Sequence, residues 1–179
     1  LKLLNAGFHK DEKWQGEHIP CLREVLATVP PNCKLIIEIK SDESILPQLA
    51  NELAQTNLST TQLELIAFNE TTLAKAKQLM PEYRMLWLIG LDYKLSWWLA
   101  WINKRRIISK VKKLKLDGVN VWAGKLLTSS FISKFKGAGL YLYAWTVNDP
   151  EKARSLINEG IDGLSTDRAY WMTEQLKKY

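Results

Sequence analysis

The chain has 179 residues, 46% hydrophobic and 25% charged, with a formal net charge of +6. Such a length and composition suit one globular domain and exclude a disordered or low-complexity chain. No run of about 18 uncharged apolar residues occurs, so no membrane-spanning helix is expected, and two cysteines, Cys21 and Cys33, are too few for a disulfide framework.

The opening residues, LKLLNAGFHKDEKW, carry no apolar core followed by a small-residue cleavage site. A cytoplasmic location and two free thiols are the expectation. The sequence lacks an initiating Met and opens in mid-pattern, which suggests a piece of a longer chain.

Residues 1–18 read as loop, with Gly7 and Gly16 as punctuation. A short helix over Cys21 to Val29 stops at Pro30-Pro31. Leu35 to Lys40 reads as a strand. A helix from about Glu43 to Thr56 follows, capped by Ser41 or Asp42, then a strand from Leu63 to Phe68. A helix over Glu70 to Met80 ends at Pro81, and Arg84 to Ile89 is a third strand. The stretch 91–116 reads as mainly helical. Gly118 to Trp122 is a fourth strand, Ser129 to Lys136 a helix, and Leu140 to Val147 a fifth strand. Asp149-Pro150 caps a helix over Glu151 to Asn158 with Gly160 as its stop; Gly163 to Thr166 is a sixth strand, and a last helix carries Tyr170, Trp171 and Leu176. Alternating strands and helices argue for a parallel sheet with right-handed crossovers, and both a doubly wound sheet and a β/α barrel fit. No G-x-G-x-x-G and no G-x-x-x-x-G-K occurs, which leaves nucleotide-binding versions of the open sheet without support.

Two charges interrupt the first strand. Side chains alternate across a strand, so Glu38 and Lys40 share one face while Leu35, Ile37 and Ile39 share the other. Such a pair is either a mutually satisfied ion pair at a strand end or a metal-binding carboxylate beside a cation that holds an anionic substrate.

The positive charge is concentrated. Lys94, Lys104, Arg105, Arg106, Lys110, Lys112, Lys113 and Lys115 lie in a stretch with no Asp or Glu between Asp92 and Asp117, and outside it acidic residues outnumber basic ones. Trp97, Trp98 and Trp101 precede Lys104-Arg105-Arg106. Three readings stay open: a barrel helix with a solvated basic face, peripheral membrane contact through Trp97, Trp98, Trp101, Arg105 and Arg106, and nucleic acid, which is not expected because no recognition fold surrounds the patch.

Six fragments in order resemble the glycerophosphodiester phosphodiesterase family. They are Leu4-Asn5-Ala6-Gly7; Gly16 to Leu26, similar to G-E-x-I-P-T-L-x-E-V-L; Leu35 to Lys40, similar to an I-E-I-K strand; Ala67-Phe68; Ala144 to Asn148; and Gly160 to Asp167. Asn5, Cys21 and Ala67 depart from the Asp, Thr and Ser usual there. The resemblance implies a TIM-type (β/α) barrel, incomplete, with about six of eight βα units in a single domain over residues 1–179, the site lying at the carboxyl ends of the strands. It lacks the family's His-Arg-Gly, Glu-x-Asp and His-Asp motifs, and the roles of those histidines are not carried over to His9 or His18.

By that resemblance Glu38 is a ligand of a divalent metal, calcium or magnesium, and Lys40 pairs with phosphate oxygens as charge gathers on them. Trp145 and Phe68 wall the substrate pocket, with core packing as their other reading, and Asn148 touches substrate or simply begins a turn and cap. Asp167 reads as a cap for the last helix. The implied function is metal-dependent hydrolysis of a small-molecule glycerophosphodiester to glycerol 3-phosphate and an alcohol by the complete protein, with this stretch inactive alone. The alternative is a non-catalytic barrel remnant that binds a lipid surface or a protein.

Overall fold

The computed structural model describes residues 4–90 and 97–178, with side chains except at 97–103. Along them lie α1 (Leu22–Leu26), β1 (Leu35–Glu38), α2 (Leu46–Ala54), β2 (Leu63–Ala67), α3 (Glu70–Leu79), β3 (Arg84–Ile89), α4 (Trp97–Lys113), β4 (Gly118–Trp122), α5 (Ser129–Gly137), β5 (Tyr141–Trp145), α6 (Pro150–Asn158), β6 (Gly163–Leu164) and α7 (Ala169–Lys177). No helix among the described residues is long and apolar enough to cross a membrane. The described cysteines, Cys21 and Cys33, are both free and exposed.

All strand pairs are parallel and the strand order follows the chain, β1-β2-β3-β4-β5-β6. A doubly wound sheet reverses direction at a switch point and needs helices on both faces. Here no reversal occurs, and the six strands curl into a half-barrel. The packing agrees. One large apolar cluster joins helix residues such as Leu49, Leu73, Phe131 and Phe135 to the outward strand residues Leu65, Met85, Val119 and Leu142. A separate cluster of Ile66, Leu86, Leu88 and Tyr143 holds no helix residue and forms the inner wall.

Local chemistry explains where the elements start and stop. Asn69 accepts from the backbone N–H groups of Thr71 and Thr72 at the start of α3, Thr128 accepts from Phe131 at α5, and Asp149 accepts from Glu151 at α6, where Pro150 is the first helical residue. Gly160, at a φ of 87°, turns the chain out of α6 in the left-handed region. The expected helix over Glu43 to Thr56 is divided. Asp42 caps a 3-10 turn over Glu43–Ile45, and α2 begins at Leu46. Pro47 has no N–H to return to the Glu43 carbonyl, so the α-helical ladder cannot run through that point.

Two matched clamps hold the amino ends of the strands. Asp117, just before β4, accepts from the backbone N–H of Met85 in β3 (2.8 Å) and from Lys77 of α3 (2.8 Å), whose ammonium also reaches the Pro81 and Tyr83 carbonyls. Asp162, just before β6, accepts from the backbone N–H of Leu142 in β5 (2.8 Å) and from Lys136 of α5.

Candidate active site

Barrel enzymes place their chemistry at the carboxyl ends of the strands, and there the half-barrel gathers four of the expected residues. Glu38 ends β1 and Lys40 follows two positions later; Lys40 Nζ lies 2.6 Å from Glu38 Oε1. Glu38 is in register with Ile66, an inner-wall residue, while Ile39 is buried among the helices, so both charges face the inside as the alternation requires. The side chain of Lys40 is 75% exposed and that of Glu38 29%. An ion pair so open to water stabilises a fold by roughly 1 kcal/mol or less, which is little return for stability and leaves Lys40 free to exchange partners.

Phe68 follows β2 directly, and the register sets it level with Lys40. Its ring meets that of Trp145, the last residue of β5, edge to face at 5.8 Å between centroids. Both are held by backbone. Trp87 Nε1 donates to the Phe68 carbonyl (3.1 Å), and Trp145 Nε1 donates to the Asn120 carbonyl (3.3 Å). With its N–H committed below, Trp145 offers an apolar ring to the mouth, and Phe68 remains 53% exposed beside it.

Asn148 lies in the loop after β5 with its amide oxygen and one amide N–H engaged. Its Nδ2 donates to Asp167 Oδ2 (2.7 Å), and its Oδ1 accepts from Thr166 Oγ1 (2.8 Å) and from the Asp167 backbone N–H (3.0 Å). The side chain ties the β5–α6 loop to the β6–α7 loop. Asp167 is a partner in that tie rather than a helix cap: the residue before α7 is Arg168, and no side chain caps the helix.

His9 and His18 are exposed in the loop before α1, with His18 Nδ1 3.2 Å from the Leu4 carbonyl. Among the described residues no group of three or more His, Cys, Asp or Glu is placed to hold a metal ion. Arg105 and Arg106 are exposed on α4; Trp97, Trp98 and Trp101 fall outside the described side chains.

The inner wall holds polar residues that were not anticipated. Glu64, 1% exposed on β2, accepts at Oε1 from Lys34 (2.9 Å), Arg84 (2.7 Å) and the Tyr143 hydroxyl (3.1 Å). Arg84 also stacks 3.7 Å over the Tyr141 ring. Burial, and then donation to Glu64, push the Tyr143 hydroxyl up to about 12. Burial alone would lower the Arg84 guanidinium, but its bond with Tyr143 and the charge of Glu64 outweigh that and raise it. Gly163 makes room: a Cβ there would come within 3.0 Å of the Tyr143 ring. Higher on the same face Asn120 is 2% exposed and its Oδ1 has no partner among the described residues. Trp122 ends β4 in register with Trp145 and is 36% exposed. The signal for Glu64 was present, a carboxylate inside an apolar run; its partners, 20, 30 and 79 residues away, were not.

A model of the glycerophosphoryl diester phosphodiesterase family matches residues 1–170. A probable glycerophosphodiester phosphodiesterase 2 of Mycobacterium tuberculosis is 29% identical over 163 residues, covering 86% of this chain and 58% of its own. A glycerophosphodiester phosphodiesterase of Caldanaerobacter subterraneus subsp. tengcongensis is 28% identical over 171 residues, covering 93% and 65% respectively. The chain therefore spans about three-fifths of the length of these curated relatives. Among solved structures, an Oleispira antarctica phosphodiesterase in complex with the product sn-glycerol-3-phosphate superposes with a TM-score of 0.80 at 25% identity, over 99% of this chain and 69% of that one.

Proposed function

The chain belongs to the glycerophosphoryl diester phosphodiesterase family, and on that premise we propose that the whole protein hydrolyses a glycerophosphodiester to glycerol 3-phosphate and an alcohol. The observation that carries this reading is the inward-facing Glu38–Lys40 pair at the end of β1, level with the Phe68–Trp145 wall.

In this reading Lys40 leaves Glu38 for the phosphodiester and neutralises its oxygens as negative charge builds in the transition state. Its partner is one carboxylate in an open setting, so the exchange costs little. The rings of Phe68 and Trp145 receive the glycerol carbons and exclude water from that side. Asn148 contributes to binding through the loop it holds, and the second N–H of its exposed amide is offered to a substrate oxygen.

Calcium and magnesium need about six or more oxygen ligands. Glu38 is one carboxylate, and the described residues offer no further cluster around it. The residues present do not complete such a site. Glu38 is assigned as one ligand of a divalent cation, the others coming from elsewhere in the whole protein, and residues 1–179 alone are expected to bind the cation weakly and turn over nothing.

The test is release of glycerol 3-phosphate from glycerophosphocholine with calcium or magnesium. The full-length protein is expected to be active, Glu38→Gln to abolish the metal dependence together with the activity, and residues 1–179 to be inert. A full-length protein inert with both metals overturns the proposal in favour of a non-catalytic module.

A further inference from the structure

Away from the barrel mouth, α4 and α5 enclose a groove of about 670 Å³ in the helical layer. Arg105 and Ser109 line it from α4, and Ser130, Ser133 and Lys134 from α5; no carboxylate lines it. Lys104 joins from the rim, its ammonium donating to Ser130 Oγ at 3.4 Å and lying 5.9 Å over the Phe131 ring. Burial, and then the charge of Lys134, lower the Lys104 ammonium below the usual lysine range.

Three other cations of the helical layer are answered by acids: Lys77 by Asp117, Lys110 by Glu70 and Lys136 by Asp162. Lys104 and Lys134 have no acidic partner among the described residues. Lys134 faces the cavity and Lys104 lies beside it against Ser130, and an anion entering there relieves the repulsion between the two ammonium groups. Three serine hydroxyls beside them are donors to oxygen. Lys134 and Lys104 beside three hydroxyls, in a groove that no carboxylate lines, are the chemistry of a phosphate monoanion or dianion. The sequence narrows the source: α4 begins with Trp97-Trp98 and Trp101, a residue type enriched at headgroup level, and continues as an acid-free basic run.

We propose that the α4–α5 groove binds the headgroup phosphate of an anionic lipid and seats the protein on a membrane surface. The site is separate from Glu38 and Lys40 and does not depend on the phosphodiesterase reading.

Vesicle co-sedimentation of the full chain at low salt tests it. Phosphatidylserine vesicles are expected to bind the chain, and pure phosphatidylcholine vesicles to bind it at least about tenfold less. Lys104→Gln with Lys134→Gln is expected to weaken binding ~25-fold. Lys112→Gln with Lys113→Gln removes the same charge from exposed positions outside the groove and is expected to weaken it less than about fivefold. Unchanged circular dichroism of both pairs keeps the comparison one of binding. Equal weakening by the two pairs, or no binding by the intact chain, overturns the proposal. So does saturable binding of inorganic phosphate without any binding to anionic vesicles, which would leave an anion site with no lipid role.

Discussion

At the amino ends of the strands, the buried Glu64 receives Tyr143 and the partly exposed Lys34 and Arg84. At the carboxyl ends, Glu38 receives Lys40, whose side chain is three-quarters exposed. Both are a glutamate on the inner face of a short parallel strand beside a cation. They differ in water. Below, desolvation makes a lost partner of Glu64 expensive, so the cluster ties β2 to β3 beside it and to β5 across the interior. Above, solvent screens the pair, folding gains little from it, and its charges stay available. One sheet thus holds a buried acid at one end of its strands and an open ion pair at the other, the end where barrel enzymes place their chemistry.

Breaking the lower cluster has the largest expected consequence. Glu64→Ala leaves Arg84 and Tyr143 without their shared acceptor and should lower unfolding free energy by about 3–5 kcal/mol in urea titrations; a loss below about 1 kcal/mol would dissolve the contrast between the two ends. Lys40→Ala should do the reverse in the full-length protein. Stability changes by about 1 kcal/mol or less, while kcat/KM falls on the order of a hundredfold in glycerol 3-phosphate release. Asp117→Ala removes the acceptor of Met85 N–H and Lys77 together, and about 2 kcal/mol of stability with them, without altering the kinetics.

A smaller effect sharpens the comparison by pH. The Tyr143 hydroxyl titrates near 12 when folded, above the ordinary tyrosine value of 10. Its contribution to stability is therefore complete below pH 10 and is lost as pH rises through about 12. Alkaline unfolding of Tyr143→Phe should lack that component, and ultraviolet titration should find one tyrosine ionising after the others. Smallest of all, Trp145→Phe keeps the ring but forfeits the bond to the Asn120 carbonyl, about 1 kcal/mol, and should raise KM more than it lowers kcat.

The element pattern was legible because it rests on local periodicity. Leu63–Ala67 and Arg84–Ile89 stand close to where apolar runs between turn signals put them. Glu38 and Lys40 were legible because extended residues two apart share a face, although β1 itself ends at Glu38. Whether the sheet closes around an interior was not, since periodicity records which face is apolar and carries nothing about strand order. Asp167 shows the same limit at one residue. A carboxylate before a helix reads as a cap, but it takes whichever donor arrives, and here Asn148 comes from 19 positions away. Pro47 was visible, yet a proline near a helix start suits the first turn as readily as it ends a 3-10 turn.

The paired clamps at Asp117 and Asp162 close between a helix, the strand it feeds and the next strand along. Each latch is complete within about one βα repeat, whereas the bond between Glu64 and Tyr143 reaches from β2 to β5. Stripping away the last repeat takes the Asp162 latch and leaves the Asp117 latch whole. Opening accordingly begins at the two-residue β6 margin, and the amides of β2 to β5, joined through Glu64 and Tyr143, exchange more slowly.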